Sequence, residues 1–152
     1  MAIEVGQEAP DFELADSEGG KTRLSSYRGR KNVLLIFYPL AFSPICLTEF
    51  CELRDVNADL MDGDTEVIGI SVDSRWTLKA WKREEGFSNL FVADFWPHGE
   101  VARAYGVMNE ERGTAFRGTF LIDKHGILRW KEMQTEARDQ DGWRKAILEL
   151  SS

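Results

Sequence analysis

Cysteine and histidine are scarce in this sequence, which has two of each: Cys46, Cys51, His98 and His125. Two cysteines are too few for a disulfide scaffold, so redox or catalytic use outranks stapling. The two histidines do not stand at the spacings that recur in zinc sites, and no metal or other cofactor is expected. No apolar run reaches the roughly 20 residues that a bilayer span requires. The densest, Val33 to Phe37, has the length of a buried strand. Cationic charge is in short supply, with 19 Lys and Arg against 26 Asp and Glu and a net charge of -7. That balance argues against a nucleic-acid partner, whose phosphates call for clustered cations. The opening Met1-Ala2-Ile3-Glu4-Val5-Gly6 has neither the basic nor the apolar region of an export signal, so the expected compartment is the cytoplasm, with no membrane partner.

What is present fits one globular domain over residues 1–152, since 43% of the chain is hydrophobic and 30% charged. Phe12-Glu13-Leu14 and Thr22-Arg23-Leu24 flank the turn-forming Ser17-Glu18-Gly19-Gly20, which predicts an N-terminal hairpin. Asn32 to Tyr38 reads as a central strand covered on both faces and stopped by Pro39. Phe50, Leu53, Val56 and Leu60 recur at helical spacing, predicting a helix from Cys46 to about Met61. Further strands are expected at Glu66–Ser71, Leu90–Val92 and Gly118–Asp123, the last turning through Lys124-His125-Gly126 into Ile127–Met133. Helices are expected around Leu78–Trp81, at Val101–Tyr105 and at Trp143–Leu150. This alternation favours an open sheet with helices on its faces.

The segment Pro39-Leu40-Ala41-Phe42-Ser43-Pro44-Ile45-Cys46 joins the central strand to the first long helix. A cysteine in the first turn of a helix meets unpaired backbone N–H groups and the positive end of the macrodipole, which favour the nucleophilic thiolate. Ser43 suits an N-cap and Pro44 the first helical position. On residue type alone, Cys46 reads equally as a small buried hydrophobe.

Pro39, Ser43 and Cys46 match the pattern P-x-x-x-(T/S)-x-x-C, and by it the chain resembles the peroxiredoxin family. Gly6-x-x-Ala9-Pro10-Asp11-Phe12, Leu24-Ser25-x-Tyr27-Arg28-Gly29 and Thr48-Glu49 agree in order. Asp94-Phe95-Trp96-Pro97-His98-Gly99, Tyr105-Gly106-Val107 and Arg117-Gly118-Thr119-Phe120 are similar to the AhpE-type branch. The resemblance runs nearly end to end. It implies a thioredoxin-like α/β fold in its peroxiredoxin variant, with a central mixed sheet flanked by helices and an N-terminal hairpin. It also implies a thiol-dependent peroxidase of antioxidant function, reducing hydrogen peroxide and organic hydroperoxides without a cofactor.

By the same resemblance Cys46 is the peroxidatic cysteine and Pro39 its shield. Ser43 is the hydroxyl that bonds the peroxide, Arg117 the cation facing the thiolate, and Glu49 the carboxylate that orients Arg117. A thioredoxin-like or low-molecular-weight thiol is the implied reductant, and a homodimer the implied assembly, through the face near Phe42 and Trp96-Pro97. Two departures stand out. Ser43 replaces the commoner threonine while keeping its hydroxyl. Cys51 gives the C-x-x-x-x-C spacing of the PrxQ class, which AhpE-type proteins lack, so it is either a resolving thiol for a Cys46 sulfenic acid or an inert one.

Three rival readings share the fold or its surface. A thiol-disulfide oxidoreductase would need C-x-x-C at the helix start, and position 49 is glutamate. The segments of a glutathione-peroxidase-like enzyme are missing. A non-catalytic binding module would have no use for Pro39, Ser43, Cys46 and Arg117 together. Trp96 to Gly99 reads as a packed surface turn rather than as part of the chemistry.

Overall fold

The structure, a computed structural model, describes residues 3–61, 63–134 and 140–151. Strands β1 (Glu13–Ala15) and β2 (Lys21–Arg23) pair antiparallel as the N-terminal hairpin. The main sheet is built from β3 (Asn32–Phe37), β4 (Thr65–Ser71), β5 (Leu90–Ala93), β8 (Arg117–Ile122) and β9 (Leu128–Gln134), in the order β5-β4-β3-β8-β9. Strands β3, β4 and β5 run parallel, whereas β8 and β9 are antiparallel additions. The sheet is therefore mixed, with β3 at its centre.

Strand β3 is buried at all six positions because both of its faces are covered. Its alternating side chains separate two cores. Val33, Leu35 and Phe37 pack with Ala9, Phe12 and Leu24 of the N-terminal segment, with Val101 and Ala102 of helix α3 (Glu100–Ala104), and with Tyr105 just after it. On the other face, Leu34, Ile36 and Tyr38 meet α1 (Pro44–Asp55), α2 (Arg75–Glu85) and α4 (Gln140–Ser151). Helix α1 presents Cys46, Phe50 and Leu53 to this second core, an i, i+4, i+7 stripe.

The packing under α1 is aromatic. Phe50 lies 5.0 Å from Tyr38, 5.5 Å from Trp81 and 5.0 Å from Phe91, centroid to centroid. Gly69 of β4 makes room for two of these rings, since a Cβ there would stand 2.6 Å from Phe91 and 3.1 Å from Phe50. Helix α2 is capped by Ser74, whose hydroxyl accepts from the Thr77 N–H, and it ends on left-handed Gly86.

The first long helix is shorter than its apolar spacing predicts. It begins at Pro44 and ends at Asp55, and a separate 3-10 turn spans Ala58–Met61. Val56, counted on the apolar face, is 68% exposed at the helix end, while Leu60 reaches the core from the 3-10 turn. A short hairpin, β6 (Met108–Asn109) with β7 (Thr114–Ala115), has no counterpart in the sequence reading. Two-residue strands are too brief to leave a periodicity. No helix among the described residues is long and apolar enough to cross a membrane.

Candidate active site

The site forms where the topology gathers one end of the sheet. Strand β3 delivers the chain to Pro39 at its carboxyl end, and β4, parallel to it, delivers Val72 and Asp73 to the same edge. Strand β8 runs the other way, so its first residues lie there too, with Gly118 paired to Phe37. Arg117 precedes Gly118 and shares a face of β8 with Leu121, which packs in the core that contains Cys46. Alternation along the strand thus aims Arg117 beneath the start of α1.

Between β3 and α1 the chain turns sharply, and Phe42 takes a left-handed backbone (φ 68°) that a bulky residue adopts only when its surroundings require it. The Phe42 ring lies 6.1 Å from Trp81. The Ser43 hydroxyl donates to the Leu40 carbonyl at 2.8 Å. Ser43 occupies the N-cap position, but its side chain makes no capping bond, so the cap role expected of the hydroxyl is not filled. Its hydrogen is spent inside the loop, which leaves the oxygen lone pairs to accept from a ligand. Pro44 sits at the helix start, where its missing N–H costs nothing. The first helical backbone bond runs from the Leu47 N–H to the Ser43 carbonyl, so the Cys46 N–H has no partner within the helix.

Cys46 is completely buried. One arm of Arg117 donates through Nη2 to Cys46 Sγ at 3.2 Å, and the other donates through Nη1 to Glu49 Oε1 at 2.6 Å. Glu49 stands three residues after Cys46, on the same face of α1, which lets one guanidinium reach both. The side chains of Arg117 and Glu49 are 8% and 1% exposed, so this ion pair is a desolvated one. Position is further fixed by Gln140 at the start of α4, whose Nε2 donates to the Glu49 carbonyl at 2.8 Å and whose Oε1 accepts from Asn57 Nδ2 at 2.7 Å.

Pro39 is half-buried and lines an open depression of about 370 Å³ together with Phe116 and Arg117. Arg117 therefore touches both the thiol and the wall of a solvent-facing hollow. Cys51 lies further along the same regular helix, partly buried, and both thiols are free. His98 bonds the Gly113 carbonyl at 2.6 Å, tying the loop before α3 to the β6–β7 hairpin. It serves as a structural tether there, as a packed turn would have it.

The structure thus brings Cys46, Arg117 and Glu49 into one hydrogen-bonded cluster, with Ser43 and Pro39 in the loop and depression beside it. Sequence reasoning missed two residues. Gln140 contacts the site across 91 positions of chain, a separation that leaves no local pattern. Asp73, which accepts from the Ala41 N–H at 2.8 Å, reads in sequence as an ordinary carboxylate after a strand.

Residues 5–131 match the AhpC/TSA family. Alkyl hydroperoxide reductase E of Mycobacterium tuberculosis is 45% identical over 152 residues, covering 99% of both chains. A putative peroxiredoxin of Synechocystis is 40% identical over 138 residues, covering 84% of this chain and 68% of that one. Among solved structures, reduced 2-Cys peroxiredoxin of Plasmodium vivax superposes with a TM-score of 0.86 at 27% identity, covering 98% of this chain and 97% of that one. AhpC of Enterococcus faecalis does so with 0.86 at 28%, covering 99% and 94%. The chain belongs to the AhpC/TSA family, the peroxiredoxins. Within that class its full-length likeness is to the AhpE type.

Proposed function

We propose that this thiol-dependent peroxidase uses Cys46 as its nucleophile, with Arg117, Ser43 and the Cys46 backbone N–H as the donors and acceptors that hold the peroxide. The observation that carries the reading is the 3.2 Å contact of Arg117 Nη2 with Cys46 Sγ, made by a guanidinium whose other arm is locked to buried Glu49. A permanent cation and a helix N-terminus both favour thiolate over thiol.

The thiolate sulfur forms a bond to the terminal oxygen of the hydroperoxide as the O–O bond breaks. Sulfur loses two electrons and the peroxide gains two. The hydroxyl proton stays on the oxygen that sulfur acquires, so Cys46 becomes a sulfenic acid. The departing oxygen leaves as hydroxide or alkoxide and takes up a proton to give water or an alcohol. Donors preorganised around that oxygen lower the barrier because charge grows there as the bond breaks.

Hydrogen peroxide and alkyl hydroperoxides are the proposed substrates, the second in keeping with the name of the mycobacterial relative. A thioredoxin-like or low-molecular-weight thiol returns the enzyme to the thiol, in the cytoplasm. The exposed rings of Phe42, Phe95 and Trp96 support a homodimer through this face, and sedimentation at micromolar concentration should then show a dimer; a monomer across that range would remove it. The central test is Cys46→Ser, expected to abolish peroxide consumption by pre-reduced protein in stopped flow. Turnover that survives in Cys46→Ser but is lost in Cys51→Ser would reassign the nucleophile.

A further inference from the structure

Asp73 stands at the carboxyl end of β4, just before the Ser74 cap of α2, and its side chain turns toward the neighbouring loop. Its Oδ2 accepts from the Ala41 N–H at 2.8 Å and from the Ser71 hydroxyl at 2.7 Å. Ala41 is the middle of the segment Pro39–Ser43 that covers Cys46. Its neighbour Phe42 holds the left-handed backbone, and Phe42 is 48% exposed, so the contact of its ring with Trp81 supplies only part of the restraint. A strained conformation persists only where fixed contacts over-determine it. Helix α1 holds the end of this segment through the Leu47 N–H on the Ser43 carbonyl, and the Asp73 acceptor holds its middle from the end of β4. Ser71 fixes the rotamer of that acceptor, and Ser71 is itself buried on β4.

We infer that Asp73 is a positioning residue that latches the Pro39–Ser43 loop closed over Cys46, and so sets the balance between a peroxide-reactive closed loop and an open loop in which Cys46 is reached by bulkier thiols. This rests on Cys46 being the nucleophile. In the closed loop the Ser43 oxygen and the Cys46 N–H keep their places beside Arg117, and the sulfur has no solvent exposure. Attack on a small peroxide needs that geometry, because displacement by even about 1 Å is costly to a preorganised site. A larger thiol or thiol reagent needs the loop to lift. Loss of the latch therefore moves the two reactions in opposite directions with the urea midpoint kept, whereas general destabilisation of the fold lowers that midpoint and speeds labelling of Cys51 as well.

The acceptor, rather than the negative charge, does this work. Asp73→Asn retains an oxygen that can take both hydrogens, while Asp73→Ala removes it. Two rates are to be measured on pre-reduced protein: hydrogen peroxide consumption in stopped flow, and labelling of Cys46 by a bulky maleimide, located by peptide mass. Asp73→Ala should slow peroxide consumption about tenfold and speed Cys46 labelling by a similar factor, the scale of one hydrogen bond lost with its donor left unpaired. Asp73→Asn should stay within about threefold of wild type in both. Unchanged rates in Asp73→Ala, or an Asn variant as impaired as the Ala variant, would overturn the latch. Failure of the underlying reading shows separately, as wild-type protein that consumes no peroxide, because labelling does not depend on activity.

Discussion

Glu49 Oε1 lies 2.6 Å from Arg117 Nη1, and this pair is buried beside the Cys46 sulfur, so the guanidinium is aimed before any peroxide arrives. Arg117→Ala should slow peroxide attack by more than tenfold, from the loss of a few kcal/mol of charge-assisted hydrogen bonding. Arg117→Lys should recover only part of the rate, because a point charge cannot reach sulfur and carboxylate at once. Glu49→Gln keeps an acceptor but not the charge, and should fall between the two. Single-turnover stopped flow orders the three variants; a rate for Arg117→Ala equal to wild type would remove Arg117 from the reaction.

Much of this site was legible before the fold was known, for a physical reason. Cys46 lies just past one strand-to-helix junction, where Pro44 and the helix start obey local rules that mark it as a candidate, while the roles of Pro39 and Ser43 came from the family resemblance. Arg117 and Glu49 were legible only through family resemblance, since nothing local distinguishes them from a strand-start cation and a helix-face carboxylate. Asp73 and Gln140 were not legible at all, because their roles arise from strand register and helix docking. The same division holds for the fold. The alternating and continuous apolar runs of β3, β4 and β8 showed themselves, but the early end of α1 did not. Val56 continues the apolar spacing past the point where tertiary packing stops rewarding it.

Gly69 couples the central sheet to the helix that carries Cys46. A methyl group there would meet Phe91 at 2.6 Å and Phe50 at 3.1 Å, both rings being fully buried. Gly69→Ala should cost about 1–3 kcal/mol of stability, the usual penalty for overpacking a tight core. Urea unfolding measures this directly, through a lowered midpoint with an unchanged slope. Stability equal to wild type would mean that the aromatic cluster yields more easily than its packing implies.

Asp94 gives the fold a pH dependence of unusual sign. It is buried before α3, and burial lifts its carboxyl from an ordinary 3.8 to about 6, although the Val101 and Ala102 N–H groups bond to it at 3.0 and 2.9 Å. A folded-state value above the unfolded one means that the native protein binds the proton more tightly. This carboxyl therefore contributes most at about pH 4, and its contribution falls as pH rises through about 6. Asp94→Asn removes the titration. The stability of the variant minus that of wild type should rise between about pH 4 and 6.5, by at most about 3 kcal/mol at 1.36 kcal/mol per unit, and be flat above it. The constant offset from altered bonding to α3 cancels in that comparison. A difference that is level, or that falls with pH, would contradict the shift.

Whether Cys51 resolves a Cys46 sulfenic acid turns on the geometry of α1. Cys46 and Cys51 lie on the regular helix Pro44–Asp55, five residues apart. In an ideal helix that is a rise of roughly 7.5 Å and a rotation of about 140°, placing the Cα atoms ~8.7 Å apart. A disulfide tolerates roughly 7 Å without backbone movement, so the bond requires the first turns of α1 to unwind. Cys51 is partly exposed and so is not sealed in the core. If it resolves Cys46, its thiolate sulfur attacks the Cys46 sulfenic sulfur, the S–S bond forms, and hydroxide leaves and is protonated to water. Reduced protein given one equivalent of peroxide should then lose about 2 Da, whereas a retained sulfenic acid adds about 16 Da. In Cys51→Ser the loss of 2 Da should disappear, and far-ultraviolet dichroism of the oxidised wild type should show less helix than that variant. A persistent gain of 16 Da in wild type would make Cys51 a bystander and leave Cys46 to be reduced by an external thiol.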